Sequence, residues 1–341
     1  MQQWIIAKGA TSLDALTLRQ VPVPQPGPGE VLVRVRACSL NFRDQAIPLG
    51  VYIGGPVRED CVPLSDGAGE IAAIGTGVSG LAKGDRVAGT FFRDWIDGPP
   101  NPAVGPALGA AGMLGMLQDY VVLPAHAVVK IADSLSFEEA ACLPCAGVTA
   151  WNALMEGPRP LKAGGSVLIL GTGGVSLLAL QIAKAAGAKV VATSSSDEKL
   201  ARVKALGADH CINYRTTPAW GAEAARLTGG IDHVVEVGGA GTLAQSIAAV
   251  GFAGEIALIG VLTREGDTGP HGLMFKGASI RGIFVGSKAM AEKLNAFVEQ
   301  HGIRPVIDRT FPMEQARDAY AYQSSPALFG KVVITLPKAG S

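Results

Sequence analysis

"SVLILGTGGVSLLALQIAKAA", residues 166 to 186, runs five apolar-rich positions straight into a glycine-rich turn and then into a segment with helical spacing. A strand that ends on Gly171-Thr172-Gly173-Gly174-Val175 and opens a helix gathers free backbone N–H groups and the positive end of a helix dipole at one point. That is where a pyrophosphate binds in a dinucleotide fold. Ser176 stands at the third glycine position of the G-x-G-x-x-G spacing and is small enough to allow close helix packing.

Downstream the same alternation repeats. Strand KVVAT (189–193), helix DEKLARVKAL closed by Gly207, strands CINY (211–214) and HVVEV (233–237), a helix from 242, then EIALIG (255–260) and SIRGIFV (279–285) predict a doubly wound parallel sheet. Upstream, the first 125 or so residues hold short alternating or apolar runs at 31–37, 69–75, 85–89 and 119–123, broken by Gly and Pro. That pattern predicts an antiparallel β-rich domain. KVVITLP (331–337) follows no crossover helix of the parallel sheet, so it is expected to return to the first domain. The expected division is 1–128 with 305–341 for the β-rich domain and 129–304 for the dinucleotide domain. The Gly/Pro-rich stretch 98–112 reads as a loop that is either disordered or functional.

Lys plus Arg equals Asp plus Glu at 29 each, which disfavours nucleic acid and anionic membrane surfaces as partners. The N-terminus MQQWIIAKGATSLD has neither the basic start nor the apolar core of a secretory signal, so a cytoplasmic location is expected. Five cysteines without framework spacing fit a reducing compartment. Cys142 and Cys145 form a C-x-x-C behind a Ser136-to-Glu139 capping box, and they read as buried small hydrophobes.

The end of the second strand of the parallel sheet selects the dinucleotide. It reads Thr193-Ser194-Ser195-Ser196 with no carboxylate before Asp197, and Asp197 and Glu198 are accounted for by a capping box from Ser195 to Glu198. What remains is hydroxyls with Lys199, Tyr214 and Arg215, a set suited to a 2′-phosphate, so NADP(H) is expected over NAD(H).

The motifs GTGGVSLLALQIAKAAGAKVVATSSSDEK, KALGADHCINYR, GDRVAG and LPCAGVTAW resemble the medium-chain dehydrogenase/reductase superfamily. The resemblance implies an α/β chain with a GroES-like β-rich domain and a Rossmann domain. It places Ser194, Ser195, Lys199 and Tyr214 at the NADPH phosphate, Thr149 near the nicotinamide ribose, and Gly260, Val261, Leu262, Phe284 and Val285 along the nicotinamide. Lys331 matches a basic position near the cofactor or the domain cleft. In the zinc enzymes of the superfamily, three metal ligands fall where this chain has Asn41, Ser65-Asp66 and Cys145. One retained cysteine does not make the three protein ligands of a catalytic zinc. The chain therefore resembles the zinc-independent quinone oxidoreductases and enoyl reductases, with no metal expected.

On that resemblance the expected activity is NADPH-dependent reduction of a quinone or an activated C=C bond in an enone, enal or enoyl thioester. The alternatives are an alcohol or aldehyde dehydrogenase of the same superfamily and a nucleotide-binding protein without turnover. SLNFRD (39–44) supplies Asn41 as the first candidate for stabilising an enolate oxygen. Asp44 and Tyr52 are further catalytic candidates, an Arg43–Asp44 ion pair is expected to brace the turn, and Trp95 is a candidate pocket wall. The expected partners are a small-molecule substrate and a second copy of the chain, joined through the strand 279–285.

Overall fold

The computed structural model describes residues 1–110, 112–260, 262–263 and 265–337. The chain divides into two compact units, one of Met1–Val148 with the C-terminal stretch from Gly286 onward, the other of Thr149–Val285. The segments 129–148 and 286–304 thus sit with the β-rich unit and not, as expected, with the parallel sheet. The reason lies in packing: the helix Lys288–His301 has no partner strand in the parallel sheet and lies against Val128–Lys130, and the π-helical turn Leu143–Gly147 lies against strand Asp66–Ile74.

In the second unit six parallel strands follow the spatial order His210–Asn213, Lys189–Ser194, Ser166–Leu170, Ile231–Glu236, Val250–Leu258, Ser279–Gly282. The chain runs outward in one direction from Ser166–Leu170 and then returns to its other side. Its C-terminal end is therefore the switch point where a crevice opens in such sheets. Ser166–Leu170 is buried along its whole length, which accounts for its unbroken apolar reading. The helix Trp220–Thr228, absent from the sequence reading, is the crossover that parallel pairing requires between the third and fourth strands in sequence. Its Gly221 lies against the Gln245 backbone, where a Cβ would not fit.

In the first unit a mainly antiparallel sheet runs in the order Ile307–Pro312, Lys331–Thr335, Glu30–Ser39, Asp66–Ile74, Arg86–Gly89, Val128–Lys130, and Tyr120–Pro124 pairs with the first half of Glu30–Ser39. The C-terminal strand does return here, pairing Val333 with Ser39. On the other side Ser39 pairs with Asp66. The end of one strand and the starts of its two neighbours therefore meet at one place. Val33, Val35, Ile71, Phe311, Tyr320, Val332 and Ile334 close one apolar core beneath them.

The Gly/Pro-rich loop is folded against that strand end. Leu64 is held at φ 69°, its carbonyl accepts from the Met116 amide at 2.8 Å, and Pro63's accepts from Leu117 at 3.1 Å. Gly109 has φ +67° and lies so close that a Cβ would come within 2.7 Å of three Leu64 backbone atoms. Both conditions demand glycine. Among the described residues no helix is long and apolar enough to cross a membrane.

Gly109→Ala should therefore lower the unfolding free energy by about 2–4 kcal/mol in denaturant titration, through combined backbone strain and overpacking. A loss below about 1 kcal/mol would show that the loop yields without cost.

Candidate active site

Strand Glu30–Ser39 ends in Leu40, and the chain then turns into a short helix, Phe42–Ala46, with Asn41 at its N-cap. The expected turn is thus one and a half turns of helix. Its first turn is closed by Asp44 Oδ2, which accepts from the Asn41 backbone N–H at 2.7 Å. The expected Arg43–Asp44 ion pair does not form. Arg43 Nη1 instead donates to the Leu108 carbonyl at 2.9 Å, and its guanidinium lies over the Tyr52 and Phe91 rings at 5.3 and 4.9 Å. Arg43 therefore ties this helix to the loop just described. Tyr52 is placed as a partly buried ring beneath the cation. Trp95 is buried against Phe92 and donates its Nε1–H to the Gly98 carbonyl at 2.9 Å, which makes it part of the loop's own packing.

Beside the helix, the first residue of the C-terminal strand contributes the centre of the arrangement. Lys331 is 3% exposed, and its Nζ donates to Leu40 O and to Asn41 Oδ1, each at 2.6 Å. Lys331, expected near the cofactor or the domain cleft, thus bonds directly to Asn41. Asp66 is fully buried at the start of the neighbouring strand, where Oδ1 accepts from Ser65 Oγ at 2.7 Å and Oδ2 from the Cys145 backbone N–H at 3.0 Å. The ammonium of Lys331 bears on Asp66 and on the Cys145 thiol alike. Positions 41, 65–66 and 145, far apart in sequence, are thereby gathered around one buried cation. Among the described residues no group of three or more His, Cys, Asp or Glu side chains is arranged to hold a metal ion.

Burial sets the electrostatics here. It pushes the Asp66 carboxyl above its ordinary range, opposed by Lys331, Ser65, Asn41 and the Cys145 amide. It raises the Cys145 thiol, with Asp66 adding to the effect, and takes Cys142 up to about 12, so neither is a ready thiolate. Asp44 is pushed up to about 6, chiefly by burial and against the pull of Arg43. Its second oxygen, Asn41 Nδ2, Arg43 Nε and Nη2 and the Tyr320 hydroxyl are buried without hydrogen-bond partners. Half of the buried unpartnered side-chain polar atoms of the described residues thus lie in or beside this cluster. Such atoms are costly to leave unpaired, and their concentration singles this cluster out from the rest of the buried interior of the described residues.

The second unit carries the residues expected to hold a dinucleotide. Gly171 adopts φ +70°, and Gly173 caps the twelve-residue helix Gly174–Ala185. A Cβ at either glycine would meet nothing of the protein within 4 Å, so the space they leave open serves no packing of the chain itself. That space over a helix N-terminus fits a pyrophosphate. Thr172 and Val175 lie in the same turn, and Ser176 Oγ donates to the Leu170 carbonyl at 2.7 Å, closing it from below. Asn213 pairs with Ser194 across adjacent strands, and Tyr214 N donates to Ser194 O at 3.1 Å, so Ser194, Ser195 and Tyr214 come together at two strand ends. The next helix, Asp197–Ala205, starts at Asp197 as expected, but Ser196 and not Ser195 caps it, accepting from the Lys199 amide. Asp197 is engaged by Asn213 Nδ2 at 2.7 Å.

Of the segments expected along the nicotinamide, Gly260 lies against the Val237 backbone, Leu262 and Phe284 are exposed, and Val261 lies outside the described residues. Thr149 is buried on helix Val148–Met155. Val285 is a β-branched residue held at φ 54°, with its carbonyl fixed by Asn152 Nδ2 at 2.8 Å. Strain of this kind persists only where neighbours enforce it. The sequence reading passed over Glu236, which is fully buried and accepts from the Gly238 and Gly239 amides and from the Thr242 and Ser246 hydroxyls. A carboxylate at the end of an apolar strand, followed by Gly-Gly, was the available signal.

Residues 27–133 match the family model described as the alcohol dehydrogenase GroES-like domain, and residues 174–300 the one described as zinc-binding dehydrogenase. The chain is 47% identical to a zinc-type alcohol dehydrogenase-like protein of Schizosaccharomyces pombe, over 98% of this chain and 99% of that one. It is 32% identical to the 2-methylene-furan-3-one reductase of Solanum lycopersicum, over 95% and 76%. The crystal structure of a putative alcohol dehydrogenase from Sinorhizobium meliloti 1021 matches with a TM-score of 0.89 at 40% identity, over 98% and 99% of the two chains.

The buried Asp44 carboxyl gives a signed prediction. Because its pKa is raised in the fold, the stability it contributes is full below the unfolded value of 3.8 and is lost as pH rises through about 6. Between pH 5 and 7 that loss is roughly 1 kcal/mol. In urea titrations Asp44→Asn should gain about that much relative to the native chain on going from pH 5 to pH 7. A difference that does not change with pH would place the titration elsewhere.

Proposed function

The chain belongs to the medium-chain dehydrogenase/reductase superfamily and is an oxidoreductase with a nucleotide-binding fold, and from that premise we propose a zinc-independent NADPH-dependent reductase of quinones or carbonyl-conjugated C=C bonds. One observation carries this reading. The three positions that by resemblance match the metal ligands of the zinc enzymes hold Asn41, Ser65-Asp66 and Cys145, and a lysine ammonium stands among them. A site of that composition lacks a Lewis acid able to activate a simple alcohol, whereas an enone or quinone needs only donors to its oxygen.

Bound NADPH supplies the hydride. The chain's own part is to hold the substrate oxygen and to control charge around it. Asn41 Nδ2, a buried donor that closes no hydrogen bond of normal geometry and bears on Asp66, is the group we assign to the substrate oxygen. Asp44, with its proton retained up to about pH 6, adjusts the charge beside Arg43. Tyr52 acts as a wall carrying Arg43 and takes no proton in this reading. In the other unit the turn 171–175 is assigned to the pyrophosphate, and Ser194, Ser195, Lys199 and Tyr214 to the 2′-phosphate, in keeping with the capture of Asp197 by Asn213. A homodimer through the open sheet edge at Ser279–Gly282 completes the proposal; Phe284, just beyond that strand, is exposed.

NADPH-oxidation assays over a panel of quinones, enones, enals and simple alcohols, the alcohols with NADP+, test the activity. The reading expects turnover with the first three; turnover confined to alcohols favours an alcohol dehydrogenase, as the names of two similar proteins suggest. Asn41→Ala should cut enone reduction about 10- to 1000-fold with NADPH affinity nearly intact, the scale of one lost oxyanion donor. Lys199→Ala should weaken NADPH far more than NADH, and equal losses would place the 2′-phosphate elsewhere.

A further inference from the structure

Asn41 can serve as a donor only if its amide is held the right way round. A side-chain amide presents an oxygen and an NH2 of nearly equal size, and a half-turn about its last bond exchanges them. On the proposed reading, an Asn41 free to flip would offer the substrate oxygen its own oxygen part of the time, which is repulsive.

Four observations bear on what prevents this. Lys331 Nζ carries donors only and sits 2.6 Å from Asn41 Oδ1, so one orientation of the amide is held by a charge-assisted bond and the other sets NH2 against NH3+. The ammonium is itself fixed by Leu40 O at 2.6 Å, on the strand end that leads into Asn41. Asp66, the neighbouring carboxylate, accepts from Ser65 and from the Cys145 amide and is also lowered by the Asn41 side-chain amide, so it favours the same orientation as Lys331. Asn41 Nδ2, 8% exposed as a residue, is buried, closes no hydrogen bond of normal geometry, and bears on the Asp66 carboxyl, which it holds down.

We propose that Lys331 is the positioning residue of this site, its ammonium clamping Asn41 Oδ1 so that Nδ2 is presented to the substrate oxygen. The proposal rests on the assignment of Asn41 to that oxygen and adds the residue that orients it. It also gives the buried lysine a function distinct from binding the cofactor, because its bonds go to the strand end and to Asn41.

A double-mutant cycle tests it, with NADPH and methyl vinyl ketone as the probe, in full-length Asn41→Ala, Lys331→Met and the double variant. Lys331→Met should lower kcat about 10- to 100-fold, with KM and NADPH affinity changed less than threefold, as for loss of one oriented donor. The double variant should be no slower than the slower single variant, because both changes remove the same interaction. Losses that multiply, or a Lys331→Met enzyme with native kcat, overturn the proposal. If Lys331→Met does not fold, Lys331→Gln keeps a neutral donor to Oδ1 and should lose about 3- to 10-fold in kcat with KM unchanged; native kcat there overturns it equally. If Asn41→Ala alone leaves turnover intact, the assignment of Asn41 fails, whatever Lys331 does. A second readout then decides Lys331 independently of turnover. The Asn41 side-chain NH2 signals in 15N spectra, identified by their loss in Asn41→Ala, should shift in the Lys331 variant, and unshifted signals contradict the clamp.

Discussion

A lysine ammonium inside a protein must be neutralised and hydrogen-bonded, and around Lys331 the fold meets both requirements with the ends of three adjacent strands. Leu40 O and Asn41 Oδ1 accept its hydrogen bonds, and Asp66 balances its charge. The requirement propagates. Asp66 has to be buried beside it, so Ser65 and the Cys145 amide are drawn in, and Leu64 is forced to a positive φ to deliver them. Gly109 then follows, because only a residue without a side chain lets the loop reach Leu64. Arg43 anchors that loop from the other side through Leu108.

The coarse plan was legible from residues alone, since each part of it rests on a local signal. The run SVLIL into Gly171-Thr-Gly173 fixes a strand, a turn and a helix over neighbouring residues, and the parallel sheet has its expected strands. KVVITLP was placed in the right unit because no crossover helix precedes it. The misses arise where the deciding partner is distant in sequence. Arg43 stands next to Asp44, but its bond goes to Leu108, and Lys331 finds Asn41 across 290 residues. The hairpin Gln2–Ile6 with Leu16–Gln20, the helix Lys288–His301 and the strand Ile307–Pro312 also escaped the reading. Each is only partly buried and carries a mixed pattern.

Within the candidate site, sequence pointed to Asn41 and Asp44 as residue types but not to what they do. Asn41 became specific through the group that holds it. Asp44 changed from an ion-pair partner to a buried helix-closing carboxyl. Lys331, matched by resemblance to a position near the cofactor or the domain cleft, bonds to Leu40 O and Asn41 Oδ1 at the centre of the polar cluster. Glu236 shows the same lesson in the other unit, where one buried carboxylate organises the turn after its strand through four hydrogen bonds.

At the centre of the candidate site is an internal ammonium among the positions that by resemblance match the ligands of the zinc enzymes of the superfamily. The most direct test of the zinc-independent reading is metal content by mass spectrometry, on protein incubated with excess zinc at pH 7.5, desalted and compared with Lys331→Met treated alike. The native chain is predicted to retain well under one zinc per five chains, with reductase turnover unaffected by a chelator. One firmly held zinc per chain, needed for turnover, would contradict the account.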